Sequence, residues 1–283
     1  MNAHVFHSRA EIESFVAELR ARGERLALVP TMGALHAGHL ALVKLARKHA
    51  DRVAVSIFVN PTQFAPNEDF DRYPRMLDED VAALGRAGAD LIYAPSVQEM
   101  YPDGVKQDVV PQGPPAEDLE AKMRPHHFGG VATVVTRLFD HVKPDVAIFG
   151  EKDWQQLQVI RHFVAPKAGV EIVAGPTMRE KDGLAMSSRN RYLSPGDRDA
   201  ANTLFRVLTE SAARIAAGEF IETVMDDARS EIEMAGFRVD YVEARHAETL
   251  QPVAMADEGP VRLLAAARIG GTRLIDNVGV STP

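Results

Sequence analysis

The chain has 283 residues, a formal net charge of −8 and no cysteine. That excludes disulfides, thiolate metal sites and cysteine nucleophiles, and it argues against a general nucleic-acid footprint while leaving room for a local basic pocket. Apolar and charged fractions of 46% and 25% fit a soluble globular protein of one large or two smaller domains, and no signal-peptide core or bilayer-length apolar run is read, so the expectation is cytoplasmic with no membrane partner.

Arg9 to Arg22 is predicted as an amphipathic helix with Ile12, Phe15, Val16 and Leu19 on one face, ended by Gly23. Leu26 to Val29 is a short apolar run, the pattern of a buried strand. Leu40, Val43, Ala46 and Ala50 then recur at helical spacing. Between them, Pro30 to Gly38 forms a strand-to-helix turn that reads Pro-Thr-Met-Gly-Ala-Leu-His-Ala-Gly, with His39 next. His36 and His39 thus stand where a helix begins, beside unpaired N–H groups that favour phosphate. The turn lacks the Gly-Lys-Ser/Thr ending of a Walker A loop and is not Gly-x-Gly-x-x-Gly. By itself the histidine spacing also admits a metal pair or two surface histidines.

Val53 to Val59 is a second strand, so strand, helix and strand imply a parallel crossover. Asn60, Pro61, Thr62 and Gln63 follow it and belong on the rim of His36 and His39, because parallel sheets bind ligands beyond the carboxyl ends of their strands. Asp78 to Ala87 reads as a helix whose acidic start, Asp78-Glu79-Asp80, suits a helix N-terminus, with a magnesium role as the lesser alternative. Leu91 to Ala94 is a third strand. Pro95 to Pro125 is expected to be loops with one short strand. Val131 to Val142 carries a helical stripe, Val146 to Phe149 a strand, and Gly150-Glu151-Lys152-Asp153 the turn after it. A helix with Leu157, Ile160 and Val164 and a strand at Glu171 to Ala174 complete the alternation.

After Pro176 the pattern changes. Ser194-Pro195 starts a helix, a second runs to about Ala235, and Val239–Val242, Val261–Ala267 and Arg273–Val278 read as strands without intervening helices. The expected architecture is an α/β, Rossmann-like parallel-sheet domain over residues 1–177 and a smaller α+β domain over 178–283.

Four segments are expected on one rim: the His36/His39 turn, Asn60–Gln63, Gly150–Asp153 and Gly183–Arg191. In the last, Ser187, Ser188 and Arg189 offer two hydroxyls and a guanidinium to phosphate oxygens; alone they read as a solvated loop. Lys152 suits phosphate and Asp153 suits ribose, or the two are a surface pair. Asn60, Gln63 and Gln156 are uncharged amides suited to a small polar substrate with hydroxyl and carboxylate groups, or surface glutamines of no consequence. Trp154 reads as packing.

His-Ala-Gly-His resembles the signature of nucleotidylyltransferases and class I aminoacyl-tRNA synthetases. Together, Pro30–His39, Ser56-Ile-Phe-Val-Asn-Pro-Thr-Gln-Phe64, Phe149–Leu157 and Gly183–Leu193 closely resemble the pantothenate synthetases (pantoate–β-alanine ligases). Tyr73-Pro74-Arg75, Met100-Tyr101-Pro102, Arg124 to Val135 and Thr272 to Asn277 extend the likeness over nearly the whole chain. The resemblance implies a Rossmann-like ATP- and pantoate-binding domain, a C-terminal lid, a homodimer, and ATP with Mg2+. It implies that (R)-pantoate is adenylated and that β-alanine then displaces AMP. Carried over by motif, the ATP site comprises Met32, Gly33, Ala34, Leu35, His36, Ala37, Gly38 and His39, then Gly150, Glu151, Lys152 and Asp153, then Met178, Met186, Ser187, Ser188 and Arg189. Catalysis falls to His36, His39, Lys152 and Arg189, with His39 the family's assigned proton donor. Gln63 and Gln156 would hold pantoate, Gln63 would also meet β-alanine, and Asn60 would orient a ligand. No metal ligands are assigned. The alternatives are another nucleotidylyltransferase of this fold and a catalytically silent ATP-binding regulator.

Overall fold

A computed structural model describes residues 3–65, 68 and 70–281. The chain divides into two compact units, Met1–Glu151 with Val159–Pro176, and Lys152–Gln158 with Thr177–Pro283.

The first unit is built on six parallel strands in the order β1-β4-β3-β2-β5-β6. In chain order it runs β1 (His4–Phe6), α1 (Arg9–Ala21), β2 (Leu26–Thr31), α2 (Ala37–Ala46), β3 (Arg52–Ile57), α3 (Leu77–Ala87) and β4 (Leu91–Tyr93). Three one-turn helices follow, α4 (Val97–Met100), α5 (Pro114–Glu117) and α6 (Glu120–Met123). Then come α7 (His127–Val142), β5 (Val146–Gly150), α8 (Trp154–Val159, all but its last residue in the second unit), α9 (Ala165–Ala168) and β6 (Glu171–Gly175). The boundary between the units falls inside α8. Ser8 opens α1 with a capping box shared with Glu11. The central strands are apolar on both faces, as strands covered by helices must be: Leu26 to Val29 and Val53 to Val55 are fully buried. Val43, Ala46 and Leu84 pack against them from α2 and α3.

Successive strands step from β2 to β3 and β4 on one side and to β5 and β6 on the other. The chain therefore leaves β2 and β5 in opposite directions, which opens a crevice at their carboxyl ends. The turns after β2 and β5 carry Met32–His36 and Glu151 to that crevice.

Two segments differ from the sequence expectation. The edge strand β1 pairs with β4 although neither His4 nor Val5 is buried. Between 95 and 125 there is no strand; α4, α5 and α6 take its place. Gly113, Pro114 and Pro115 start α5, and a four-residue helix is too short to show a 3.6-residue period. A π turn at Ile160–Val164 joins α8 to α9. It precedes Pro166, which lacks an N–H and whose ring would crowd the carbonyl four residues back in a regular helix.

The second unit adds α10 (Pro195–Ala200), α11 (Thr203–Ala216), α12 (Ile221–Met234) and the antiparallel strands β7 (Arg238–His246), β8 (Val261–Ile269) and β9 (Thr272–Gly279), paired in the order β7-β8-β9. Its own core joins Leu204, Val207, Leu208 and Ile215 of α11, Val224 and Ile232 of α12, and Leu263 and Ala265 of β8. Among the described residues no helix is long and apolar enough to cross a membrane.

Candidate active site

In the first unit the site grows from the β2–α2 turn. β2 extends through Thr31 and α2 begins at Ala37, so the turn proper is Met32 to His36. Thr31 Oγ1 donates to Ser56 O (2.6 Å) and accepts from Gly33 N–H (3.3 Å). Gly33 has φ +81° and Ala34 φ +51°, so two successive residues sit in the left-handed region that L side chains avoid. The N–H groups of Ala34 and Leu35 both donate to Asp80, to Oδ2 and Oδ1, each at 2.9 Å. Asp80 is thus turned into the protein, with 4% of its surface exposed, and the magnesium alternative read from Asp78-Glu79-Asp80 does not describe it.

The two histidines are locked by the backbone. His36 Nδ1 accepts from Gly38 N–H (3.2 Å) and His39 Nδ1 accepts from His36 N–H (3.3 Å). A ring nitrogen that accepts carries no proton, so each neutral imidazole keeps its proton on Nε2. The rings lie 4.1 Å apart between centroids at 39°. The backbone donors expected to meet phosphate at this helix start are therefore partly spent: those of Ala34 and Leu35 on a carboxylate, those of His36 and Gly38 on imidazole.

Pro61–Gln63 forms a 3-10 turn just beyond β3, capped by Asn60. Gln63 Nε2 donates to Met32 Sδ (2.9 Å), which joins this turn to the first. Asn60 is 1% exposed. Its Nδ2 donates to Gln63 Oε1 (3.2 Å) and Gly130 O (3.1 Å), while its Oδ1 accepts from Tyr101 OH (2.6 Å), Thr62 Oγ1 (3.0 Å) and Thr62 N–H (3.3 Å). Burial pushes the Tyr101 phenol up, so it stays protonated and donates. The carbonyl of Gln63 accepts from Arg124 Nη2 (3.3 Å) and His127 Nδ1 (3.1 Å). Burial, then the neighbouring Arg124, pulls the His127 imidazole down to about 4, so at neutral pH it is an uncharged Nδ1–H donor. Arg124 in turn pairs with Glu68 at 2.7 and 2.8 Å. Burial works to raise the Glu68 carboxyl, but the Arg124 guanidinium overrides it and holds it below the ordinary range.

Tyr101, Arg124, His127 and Gly130 were not singled out for chemistry by the sequence, and Asp80 was noted only in an acidic run read as a helix start or, as the lesser alternative, a magnesium site. All act on backbone or side chains that were singled out. Their partners lie 39 to 70 positions away, beyond any local pattern.

In the second unit Asp153, Met178, Met186 and Ser187–Arg189 make contacts close by in sequence, while Lys152 is also tied to the distant Asn277. Lys152 Nζ lies 3.7 Å from Asp153 Oδ1, and Lys152 O accepts from Asn277 Nδ2 (2.8 Å). Asn277 Oδ1 accepts from Arg262 Nε (2.6 Å), and Arg262 lies 3.5 Å over the Trp154 ring, whose Nε1 donates to Ala247 O (2.7 Å). Trp154 is packing, as read. A bridge between Arg179 and Ala185 makes a small hairpin, and Met186 N–H donates to Met178 O (2.9 Å), so these two residues stand side by side. Ser187 Oγ accepts from Arg189 N–H (3.3 Å) and opens the turn Ser188–Tyr192. Gln156 is half-buried on α8. Among the described residues no three His, Asp or Glu side chains form a cluster that would hold a metal ion.

The family model for pantoate-beta-alanine ligase matches residues 4–279. The pantothenate synthetase of Rhodopseudomonas palustris (strain BisA53) is 55% identical over 263 residues, 93% of each chain. The crystal structure of pantothenate synthetase from Thermus thermophilus superposes with a TM-score of 0.90 at 45% identity, covering 99% of this chain and 100% of that one. That of the pantoate-beta-alanine ligase of Francisella tularensis, complexed with beta-gamma ATP and beta-alanine, gives 0.83 at 33% identity and 99% coverage of both. A parallel sheet with a switch point at β2/β5, a His-Ala-Gly-His turn upon it and full-length similarity at this level agree on one assignment: the chain belongs to the pantoate-beta-alanine ligase family.

Proposed function

We propose that the protein joins (R)-pantoate to β-alanine with ATP. A pantoate carboxylate oxygen attacks the α-phosphorus, the bond to the bridging oxygen breaks, and pyrophosphate leaves. The uncharged amine of β-alanine then attacks the pantoyl carbonyl carbon, AMP leaves, and the amine proton passes to solvent. Neither step needs a covalent enzyme intermediate, so positioning and electrostatics supply the rate. The observation that carries this reading is the His36–His39 pair, held so that two Nε2–H groups serve as phosphate donors at the β2 rim. The pantoate carboxylate is already ionised and needs no base, so His39 acts as a donor to charge developing on the α-phosphate.

In the same reading Met32–His39 and Gly150–Asp153 bind ATP with Met178 and Met186–Arg189, and Lys152 and Arg189 offset pyrophosphate charge. Gln63 and Gln156 hold pantoate, Gln63 also meets β-alanine, and Asn60 acts through Gln63. Mg2+ would enter with the ATP phosphates, since such ions are commonly held by one or two carboxylates and the substrate itself. A homodimer, a lid role for the C-terminal unit and a cytoplasmic location complete the proposal on the strength of the family resemblance; sedimentation tests the dimer.

The test is pyrophosphate release from ATP with pantoate alone and then with β-alanine. One equivalent per site without β-alanine, and steady turnover with it, supports the adenylate route. Turnover that needs neither substrate, or no release at all from folded protein, overturns it. His39→Ala is expected to slow adenylation about 10²-fold while changing ATP affinity far less; equal losses would make it a binding residue only.

A further inference from the structure

Asp80 enters no step of the ligation, yet it is among the most buried acidic side chains of the first unit, and both of its oxygens are committed to one place. It stands in the first turn of α3, where an acidic side chain ordinarily caps its own helix. Instead α3 has no side-chain capping hydrogen bond from its N-cap, Met76, and Asp80 reaches the β2–α2 turn 45 and 46 residues earlier. There it meets the two consecutive N–H groups of Ala34 and Leu35. Ala34 is a non-glycine residue at φ +51°, a conformation that costs about 1–2 kcal/mol and persists only where surroundings impose it. Space is equally constrained: a Cβ on Gly33 would lie 3.0 Å from Asp80 Oδ2 and 3.1 Å from Ile57 Cγ2. One residue beyond Leu35 begins the His36 backbone, whose N–H fixes the His39 ring.

We propose that Asp80 is a positioning residue for nucleotide activation: its carboxylate clamps the Gly33–Leu35 backbone in its left-handed turn and so sets where the His36 and His39 Nε2–H groups point. The proposal rests on the adenylation reading above. Asp80→Asn is nearly isosteric, but it sets an amide NH2 against one of the two backbone N–H groups, so one bond is lost and a donor faces a donor.

The experiment uses the full-length protein and its Asp80→Asn and Asp80→Ala variants. Three readouts are taken: steady-state pyrophosphate release with ATP, pantoate and β-alanine each varied, the same at raised Mg2+, and the amide resonances of Ala34 and Leu35. The expected result is a shift of both resonances, an adenylation rate down roughly 10²-fold, an ATP KM raised several-fold and a β-alanine KM within about twofold of the parent, with no recovery on adding Mg2+. Recovery at high Mg2+ would show Asp80 acting on the metal and overturn the proposal. So would a fall in kcat that only tracks the folded fraction with every KM unchanged, or unchanged kinetics once the resonances have moved. Failure of the parent protein itself to release pyrophosphate with ATP and pantoate removes the functional reading, and the clamp's role in nucleotide activation with it.

Discussion

At position 60 a side-chain amide has two donor hydrogens and two acceptor lone pairs, and the protein occupies all of them through Gln63, Gly130, Tyr101 and Thr62. In the proposed reading Asn60 would therefore act on a ligand only through Gln63, whose Oε1 it engages while the Gln63 NH2 donates to Met32 Sδ. Tyr101→Phe removes the hydroxyl that donates to Asn60 Oδ1 without changing the ring. It is expected to cost about 1 kcal/mol of stability and to raise the pantoate KM several-fold while the ATP KM holds. Equal KM values in parent and variant, measured by pyrophosphate release, would disconnect Tyr101 from the substrate side. The histidine pair was legible in the sequence because both residues lie within one turn of one another. Asp80 and Tyr101 were not, because a buried acid in a first helical turn and a tyrosine beside a proline look alike whether or not they reach across the sheet.

Among the elements, α7 does the most to place the 3-10 turn at Pro61–Gln63. It approaches so closely that a Cβ on Gly130 would fall 2.4 Å from Thr62 O and 2.7 Å from Gln63 N. These are backbone atoms that cannot swing aside. Gly130→Ala is expected to destabilise by about 1–3 kcal/mol through overpacking and to raise the pantoate KM more than the ATP KM, read from urea unfolding and from initial rates. The helical stripe from Val131 to Val142 announced α7 itself, but the glycine preceding it carries no periodic signal. The short elements were the least legible: β1 has three residues and an exposed edge, and α4 to α6 have four each. Where an element spans barely one turn or one bridge, tertiary partners rather than sequence period decide its form.

For the molecule as a whole, acid sensitivity has two limbs. His127 binds its proton more weakly folded than unfolded, with a value of about 4 against the ordinary 6.5. The unfolded chain therefore takes up the proton first, so its contribution is fully present above pH 6.5, declines as pH falls toward 4 and amounts to roughly 3 kcal/mol at most. Below that, carboxylates held under their ordinary range take over. Hydrogen bonds from Arg52 and then Arg22 bring Glu24 to about 2, and Glu68, Asp145 and Asp182 are also lowered. Their stabilisation is present above about 4.5 and is lost as the folded groups protonate. Urea midpoints from about pH 7 to about pH 3 should show both limbs, and His127→Asn should shrink the upper one, leaving the share of the buried His141, whose imidazole burial also pulls down. An upper limb unchanged in the variant would assign it to another group. The parallel and antiparallel sheets were readable in advance from strand and helix alternation and its loss after Pro176; that Lys152–Gln158 groups with the C-terminal unit rather than with residues 1–177 was not. Nor were the electrostatics, because Glu24 with Arg52 and Glu68 with Arg124 are neighbours only in the folded state.

The close seating of α7 also bears on how the gene can change. Every single-base substitution in a glycine codon that alters the residue without stopping translation introduces a Cβ. Position 130 thus has no one-step exit that leaves Thr62 and Gln63 undisturbed. A lineage that replaces this glycine must first have reshaped the turn at 61–63, so the order of the two changes is fixed by geometry.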